Sequence, residues 1–295
     1  MFYLNLQHNI KKEHRSLNAF YYLTRTAHFK NQKDDEDIEL RQYGNMPKWA
    51  ENNPKLFWKS ADQFEISRGR TSSVLTIALP KELMREHRIE LVQALIQSYV
   101  GQYQFPYTAV IHNHPSEITG EEQPHLHLMY SERTLSDDIE RLPEQFFKQY
   151  RPKNPTQGGA QKLTADALGF GKKQVKLFRE KAEEIINLSL EKYAPTKKVM
   201  VYGVEVEVKN QVSCLSNQEF NQKFGTRLQD VPQIPRWKLY SADPIIQLEV
   251  EAQKETIKRI RQDNFNQMYN KDYEITISKM NVLQQKNKSD FNFDR

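Results

Sequence analysis

Residues 2–8, FYLNLQH, alternate apolar and polar side chains, the pattern of a half-buried strand. From Arg15 to Phe29 the chain is rich in aromatics and free of glycine and proline, and it reads as a helix. Lys30 to Glu39 is a charged loop. A turn around Trp49 is bracketed by Pro47 and Pro54, and a second helix is expected from Pro54 to Arg68, stopped by Gly69. Ser73 to Leu79, SVLTIAL, is a β-rich apolar run and reads as a buried strand. Pro80 ends it and opens a helix to about Val100, with Leu83, Ile89, Leu91, Leu95 and Ile96 on its apolar side. Two further β-rich runs, Pro106–His112 and Leu126–Ser131, are joined by a loop rich in Asn, Pro, Ser, Gly and Glu. Strands in direct succession imply an antiparallel pair, so the expected class is α+β, an antiparallel sheet with helices packed on it.

The pattern changes after residue 145. Residues 146–162, FFKQYRPKNPTQGGAQK, form a basic loop punctuated by Pro and Gly, and a long helix is expected from Ala165 to Tyr193. A strand is expected within 197–209, a capping box at Ser216-x-x-Glu219, and a helix opened by Asp243-Pro244 and running to Tyr269. The organisation expected is a first domain over 1–195 and a mixed, helix-rich region over 196–295, whose polar end, 281–295, reads as frayed. No internal repeat is visible.

Composition narrows the setting. Of 295 residues, 38% are hydrophobic, enough for a core at this length. No stretch approaches the ~20 apolar residues of a membrane-spanning helix, so no membrane insertion is expected. The opening MFYLNLQHNIKKEHR has no long apolar run before a cleavage site, so no signal peptide is read. Cys214 is the single cysteine, which excludes an internal disulfide and fits a reducing cytoplasm, the expected location. The formal charge of +5 divides into +2 over 1–195 and +3 over 196–295. Nucleic acid would therefore be met by local patches rather than by a bulk positive field. No Gly-x-x-x-x-Gly-Lys-Ser/Thr loop points to nucleotide hydrolysis.

Four of the eight histidines fall between positions 112 and 127: His112, His114, His125 and His127. On a strand, His125 and His127 project from one face, while Leu126 and Leu128 point to the other. His112 ends the preceding strand, and an antiparallel pairing brings it alongside. Three neutral imidazoles converging in this way suit Zn, Mn, Ni or Co and leave coordination positions open. His114, just beyond His112 and followed by Pro115, is an alternative ligand or a substrate contact.

The stretch AVIHNHPSEITGEEQPHLHLMYSER resembles the core signature of the MobA/MobL relaxases, a family of HUH endonucleases in which a hydrophobic residue, here Leu126, separates two histidines. The matching residues are His112, Pro124, His125, His127, Leu128, Met129, Ser131 and Arg133. Flanking segments are similar in order and spacing: GNMPKWAENNPKLFW (44–58), GRTSSVLTIALPKEL (69–83), FPYTAVIH (105–112) and FFKQYRPKNPTQGGAQK (146–162). Together they cover about residues 1–195.

The resemblance implies an HUH-type fold and a divalent metal ion, Mn or Mg in use with Zn, Ni or Co as other candidates, held by His112, His125 and His127. It implies a nucleophilic tyrosine on the first helix, where Tyr22 and Arg25 match the family's Tyr-x-x-Arg spacing, with Tyr21 as the neighbouring candidate. The implied reaction is nicking of one DNA strand at an origin of transfer through a 5′-phosphotyrosine, followed by rejoining. The implied partners are that DNA, accessory mobilisation proteins and a conjugative coupling protein. In the family, acidic residues stand where this chain has Val74 and Thr76, and Asp37 or Glu36 match another acidic position. Lys148, Arg151, Lys153 and Lys162, around Gly158 and Gly159, are candidate phosphate contacts, and Phe147 and Tyr150 candidate stacking groups. Two other readings stand beside this one: a nicking-deficient single-stranded DNA-binding protein, and a rolling-circle replication initiator, in which the tyrosine usually follows the His-x-His pair.

Overall fold

The structure, a computed structural model, describes residues 2–30, 37–115 and 120–291. The chain divides into two compact units, Phe2–Tyr193 and the part from Ala194 onward.

The first unit is built on a five-stranded antiparallel sheet. Its strands are β1 (Leu4–Ile10), β2 (Asp37–Gly44), β3 (Arg70–Ala78), β4 (Tyr107–Asn113) and β5 (His125–Tyr130), in the order β1-β3-β5-β4-β2. The strand carrying the His-x-His pair is thus central, between the two β-rich runs read from the sequence. Alternation sorts its side chains cleanly. Leu126 and Leu128 are fully buried on one face with Leu75, Ile77, Ala109 and Ile111. Two helices, α3 (Arg85–Tyr99) and α5 (Gln174–Tyr193), pack against each other, α3 also against β2 and α5 against β1. On α5 the buried residues Phe178, Ala182, Ile186 and Leu190 recur every four positions, one stripe of a helix.

The opposite face carries Val110 and Met129, which join a core with α1 (Ser16–Thr24), α2 (Pro54–Phe64) and the short α4 (Pro143–Phe146). Phe20, Leu23, Phe57, Trp58 and Phe146 fill it. Trp58 is fully buried, yet its indole Nε1 donates to Thr108 Oγ1 at 3.0 Å, so no polar group is stranded.

Several elements differ from the sequence pattern, each for an identifiable reason. The first helix stops at Thr24, because Arg25 (φ 50°) and Ala27 (φ 53°) lie in the left-handed region; a 3-10 turn, Ala27–Phe29, follows. The charged segment read as a loop through Glu39 becomes strand β2 from Asp37. Its Glu39 is buried but accepts from Arg88 Nε at 2.8 Å and Asn113 Nδ2 at 3.0 Å, long-range partners that a local pattern does not contain. Residues 31–36 lie outside the described residues. The third helix begins at Arg85 rather than Pro80, and α5 at Gln174 rather than Ala165, after Gly169 and Gly171 at φ +75° and +49°.

The second unit opens with a hairpin. The single strand expected over 197–209 is two, β6 (Thr196–Val201) and β7 (Val204–Lys209), turned by Tyr202 and Gly203 at positive φ. Val201, Val206 and Val208 pack with Phe265, Tyr269 and Tyr273. The expected capping box is formed at α6 (Asn217–Phe224), with both reciprocal bonds between Ser216 and Glu219. The helix α7 spans Arg236–Leu239, and Asp243 caps α8 (Pro244–Met268). The helix α9 (Asn270–Phe291) runs through most of the segment expected to be frayed, since no glycine or proline interrupts it; residues 292–295 lie outside the described residues.

Two contacts fix the parts that matter for function. The first is a remote cap: both carboxylate oxygens of Asp62, on α2, accept from the first amides of α1, Ser16 N at 3.1 Å and Leu17 N at 2.9 Å. The second is the Gly158-Gly159 pair, where a Cβ on Gly159 would stand 1.9 Å from the Lys148 carbonyl oxygen. Asp62→Ala should cost about 1–2 kcal/mol, the usual loss of a helix cap, measured by urea denaturation; an unchanged midpoint would refute the capping role. Gly159→Ala should cost at least about 1–3 kcal/mol through backbone overpacking and lower the thermal midpoint by several degrees, whereas a midpoint equal to wild type would show that the loop can open without loss.

Candidate metal and nucleophile site

The antiparallel register decides the site. His112 lies opposite His125, and Val110 opposite His127, so all three imidazoles emerge from the face that carries α1. Each offers a ring nitrogen within 4.8 Å of the others. Ring centroids are 5.5 Å apart for His112–His125, 4.9 Å for His112–His127 and 4.7 Å for His125–His127. His112 is buried at 1% exposure, and the other two are half-buried, so the cluster has a closed side and an open side.

The remaining ring nitrogens are oriented by neighbours. The Leu23 carbonyl lies 2.7 Å from His112 Nε2, and the Gln123 carbonyl 2.9 Å from His125 Nδ1. A carbonyl can only accept, so these nitrogens carry the protons, which leaves His112 Nδ1 and His125 Nε2 with lone pairs. His127 Nδ1 meets Thr76 Oγ1 at 3.1 Å, and with Nδ1 donating, its Nε2 completes the set. Fixing tautomer and ring angle through the far nitrogen is what a metal-binding histidine requires. The donors therefore fit a divalent cation that accepts nitrogen ligands and leaves coordination positions open.

His114 stands beside this set, its ring 5.1 Å from that of His125 and its Nδ1 turned to the Pro115 carbonyl. Among the described residues, no carboxylate belongs to the set. Val74 and Thr76 lie half-buried on the same sheet face. Glu36 lies outside the described residues, as does the side chain of Asp37. His8, on the other face, bonds Ser73 Oγ at 2.8 Å; burial, aided by Arg70, lowers its pKa to about 4, so it stays neutral and apart.

Helix α1, which carries both tyrosines, meets the cluster through its backbone. Its Leu23 carbonyl is the one that holds His112, so the helix and the cluster share a direct bond. Tyr21 leans on the core and on α2, with the Lys55 ammonium 5.5 Å from its ring centroid. Tyr22 is one residue on, about 100° round the helix, and it is 41% exposed. The Arg25 guanidinium lies 4.4 Å from the Tyr22 ring centroid and also donates to the Tyr22 carbonyl, a fold-back made possible by the left-handed backbone at Arg25. Phe29 meets the same ring edge-on at 5.4 Å.

The basic loop divides. Lys148, Arg151 and Lys153 are exposed and, with the half-buried Tyr150, surround a 740 Å³ hollow. Lys162 points inward: its ammonium donates to the Arg70 carbonyl at 2.6 Å and lies 3.5 Å from Glu65, and burial lowers its pKa. Phe147 is fully buried, and the two glycines serve close packing of the loop on its own backbone. Arg133, 2% exposed, clamps that loop through the carbonyls of Phe147, Lys148 and Ala160 while pairing with Glu65. Burial raises the Glu65 pKa, but Arg133 and Lys162 more than offset this and hold it below the ordinary range. Sequence reasoning did not find Asp62, Thr76 or the Leu23 carbonyl as site-shaping groups. A remote cap and a backbone acceptor carry no local signal, and Thr76 was visible only as a missing acid.

The model of the MobA/MobL family matches residues 19–203. The 43 kDa relaxation protein of Salmonella typhimurium is 44% identical over 134 residues, 45% of this chain and 35% of that protein. Mobilization protein A of Escherichia coli is 38% identical over 133 residues, 45% of this chain and 18% of that protein. The chain thus matches about a third or less of these relatives' lengths. Among solved structures, the conjugative relaxase TrwC in complex with oriT DNA aligns with a TM-score of 0.40 at 12% identity, covering 88% of this chain and 97% of that one. A chain solved in work on vancomycin resistance transfer in Staphylococcus aureus aligns with a TM-score of 0.45 at 19% identity, covering 66% and 94%. Because the family model spans most of the first unit, including the tyrosine helix and all three clustered histidines, the chain belongs to the MobA/MobL family.

Proposed function

We propose that this chain is the DNA-nicking part of a plasmid mobilisation relaxase. The observation that carries the reading is the direct bond between the tyrosine helix and the three-histidine cluster: the Leu23 carbonyl, next to Tyr22, holds His112. In this reading the bond ties the helix that carries the nucleophile to the cation-binding set, as transesterification of a phosphodiester requires. The relatives' names, relaxation protein and mobilization protein, agree with it.

In this reading His112, His125 and His127 would hold a divalent cation, which when bound would supply Lewis-acid charge neutralisation at the scissile phosphate. The all-nitrogen donor set favours Zn, Ni or Co over Mg. The Tyr22 oxygen attacks phosphorus in line and its proton passes to solvent. The bond from phosphorus to the 3′ oxygen breaks, that oxygen takes up a proton, and the 5′ phosphate stays esterified to Tyr22. Arg25, folded against the Tyr22 ring, supplies positive charge beside the reacting phosphate. The ester conserves the phosphodiester bond energy, so a 3′-hydroxyl reverses the step without a nucleotide cofactor. Lys148, Arg151 and Lys153 contact phosphates away from the centre; Lys162 holds the loop that presents them. The substrate is single-stranded DNA at an origin of transfer in the cytoplasm, and accessory mobilisation proteins and a coupling protein are the expected partners.

The test is incubation of the chain with Mn²⁺ and a labelled single-stranded oligonucleotide spanning the transfer origin of its own plasmid, read on a denaturing gel. A protein-linked DNA band lost in EDTA and in Tyr22→Phe is expected; a band that survives Tyr22→Phe would move the nucleophile to Tyr21, and oligonucleotide binding without any band would favour a nicking-deficient binding protein. Thr76→Val should weaken Mn²⁺ binding about 10- to 100-fold, as loss of an outer-shell partner does, with Thr76→Ser near wild type by calorimetric titration. Equal affinities for Thr76→Val and wild type would remove Thr76 from the site.

A further inference from the structure

The pairing register that gathers the histidines also continues outward to the edge strand. Reading across β4, β5, β3 and β1, one row holds Val110, His127, Thr76 and Asn5, and the next holds Thr108, Met129, Val74 and Gln7. The row of His112, His125 and Ala78 reaches Tyr3, whose carbonyl accepts from the Ala78 amide at 2.9 Å. Residues opposite one another across strands share a face, and alternation along β1 puts Tyr3, Asn5 and Gln7 on the histidine side, because Leu4 between them is buried on the other. Asn5 therefore stands two strand spacings, roughly 10 Å, from His127.

This part of the face is open. Val74, Thr76 and Ala78 are half-buried, Gln7 is exposed, and Tyr3 is 59% exposed. The described residues give the Asn5 and Gln7 side-chain amides no hydrogen bond, ion pair or other polar partner. The result is a strip of sheet face: Thr76 and Ala78, beside a Val74 that packs on the core, lie between the histidines and an outer edge of one phenol and two amides. None of the three edge residues is charged, so the edge is not built to hold phosphates. Amides that present a donor and an acceptor together match the edges of bases, and a tyrosine ring offers a stacking plane.

We propose that Tyr3, Asn5 and Gln7 read the bases next to the scissile phosphate. This rests on the relaxase reading and adds to it the residues that select sequence at the nick. A strand whose phosphate lies at the histidines must continue over the adjoining surface, and on the β1 side that surface is this strip. Asn5 and Gln7 bind base edges, and Tyr3 stacks on one base in the row of His125.

The experiment is selection from a single-stranded DNA pool with a randomised stretch, on the immobilised full chain with Mn²⁺, for wild type, Tyr3→Ala, Asn5→Ala and Gln7→Ala, followed by sequencing. Wild type should enrich one motif. Asn5→Ala and Gln7→Ala should each lose discrimination of about 5- to 150-fold at one or two adjacent positions, with the rest of the motif and Mn²⁺ affinity unchanged. Tyr3→Ala should weaken binding without changing which base is preferred elsewhere. If Asn5→Ala does not fold, the exposed Gln7→Ala decides. The same motif in all variants overturns the inference and leaves the relaxase reading in place, whereas a wild-type chain that enriches no motif removes both.

Discussion

The pairing of β4 with β5 is the constraint on which everything else rests. A slip of one residue would turn His125 and His127 to the buried face and bring Leu126 and Leu128 out, at a cost of two fully buried leucines and with the cluster lost. The apolar residues that fill the back of the sheet therefore hold the histidines in place without touching them. Packing energy on one face is converted into the geometry of the histidines on the other.

The same economy appears in the tyrosine helix. It is nine residues long, too short to be stable alone, and it has no side-chain cap of its own. Asp62 supplies acceptors at its start, and His112 takes the Leu23 carbonyl near its end. Between these anchors Tyr22 has a defined position while remaining exposed. The left-handed residues Arg25 and Ala27 then turn the chain away and fold Arg25 back onto the ring. Backbone strain of this kind persists where neighbours over-determine it, and here both flanks of the segment are held.

Positive charge is distributed by function rather than spread. Arg133 and Lys162 lie within the structure beside Glu65, where each has an opposite charge or carbonyls to compensate its burial. Lys148, Arg151 and Lys153 sit on the outside of the loop these groups brace. A buried ionic frame thus presents an exposed cationic rim, so a chain of modest net charge still carries a local electropositive surface.

What could be read from the residues alone was whatever depends on neighbours in sequence. Strand alternation separated His125 and His127 from Leu126 and Leu128, and the capping motifs at Ser216 and Asp243 marked helix starts, because each of these is a short-range property of the backbone; the pairing of Tyr22 with Arg25 came only from the family resemblance. Strand β2 escaped, since a buried Glu39 is tolerable only once Arg88 and Asn113 have arrived from elsewhere. The direction of Lys162, the role of the glycine pair, the Asp62 cap and the bond from His112 to helix α1 were decided by tertiary structure, which brings together groups tens of residues apart. Local pattern specifies which face a side chain takes; only the assembled sheet and its helices specify what that face meets.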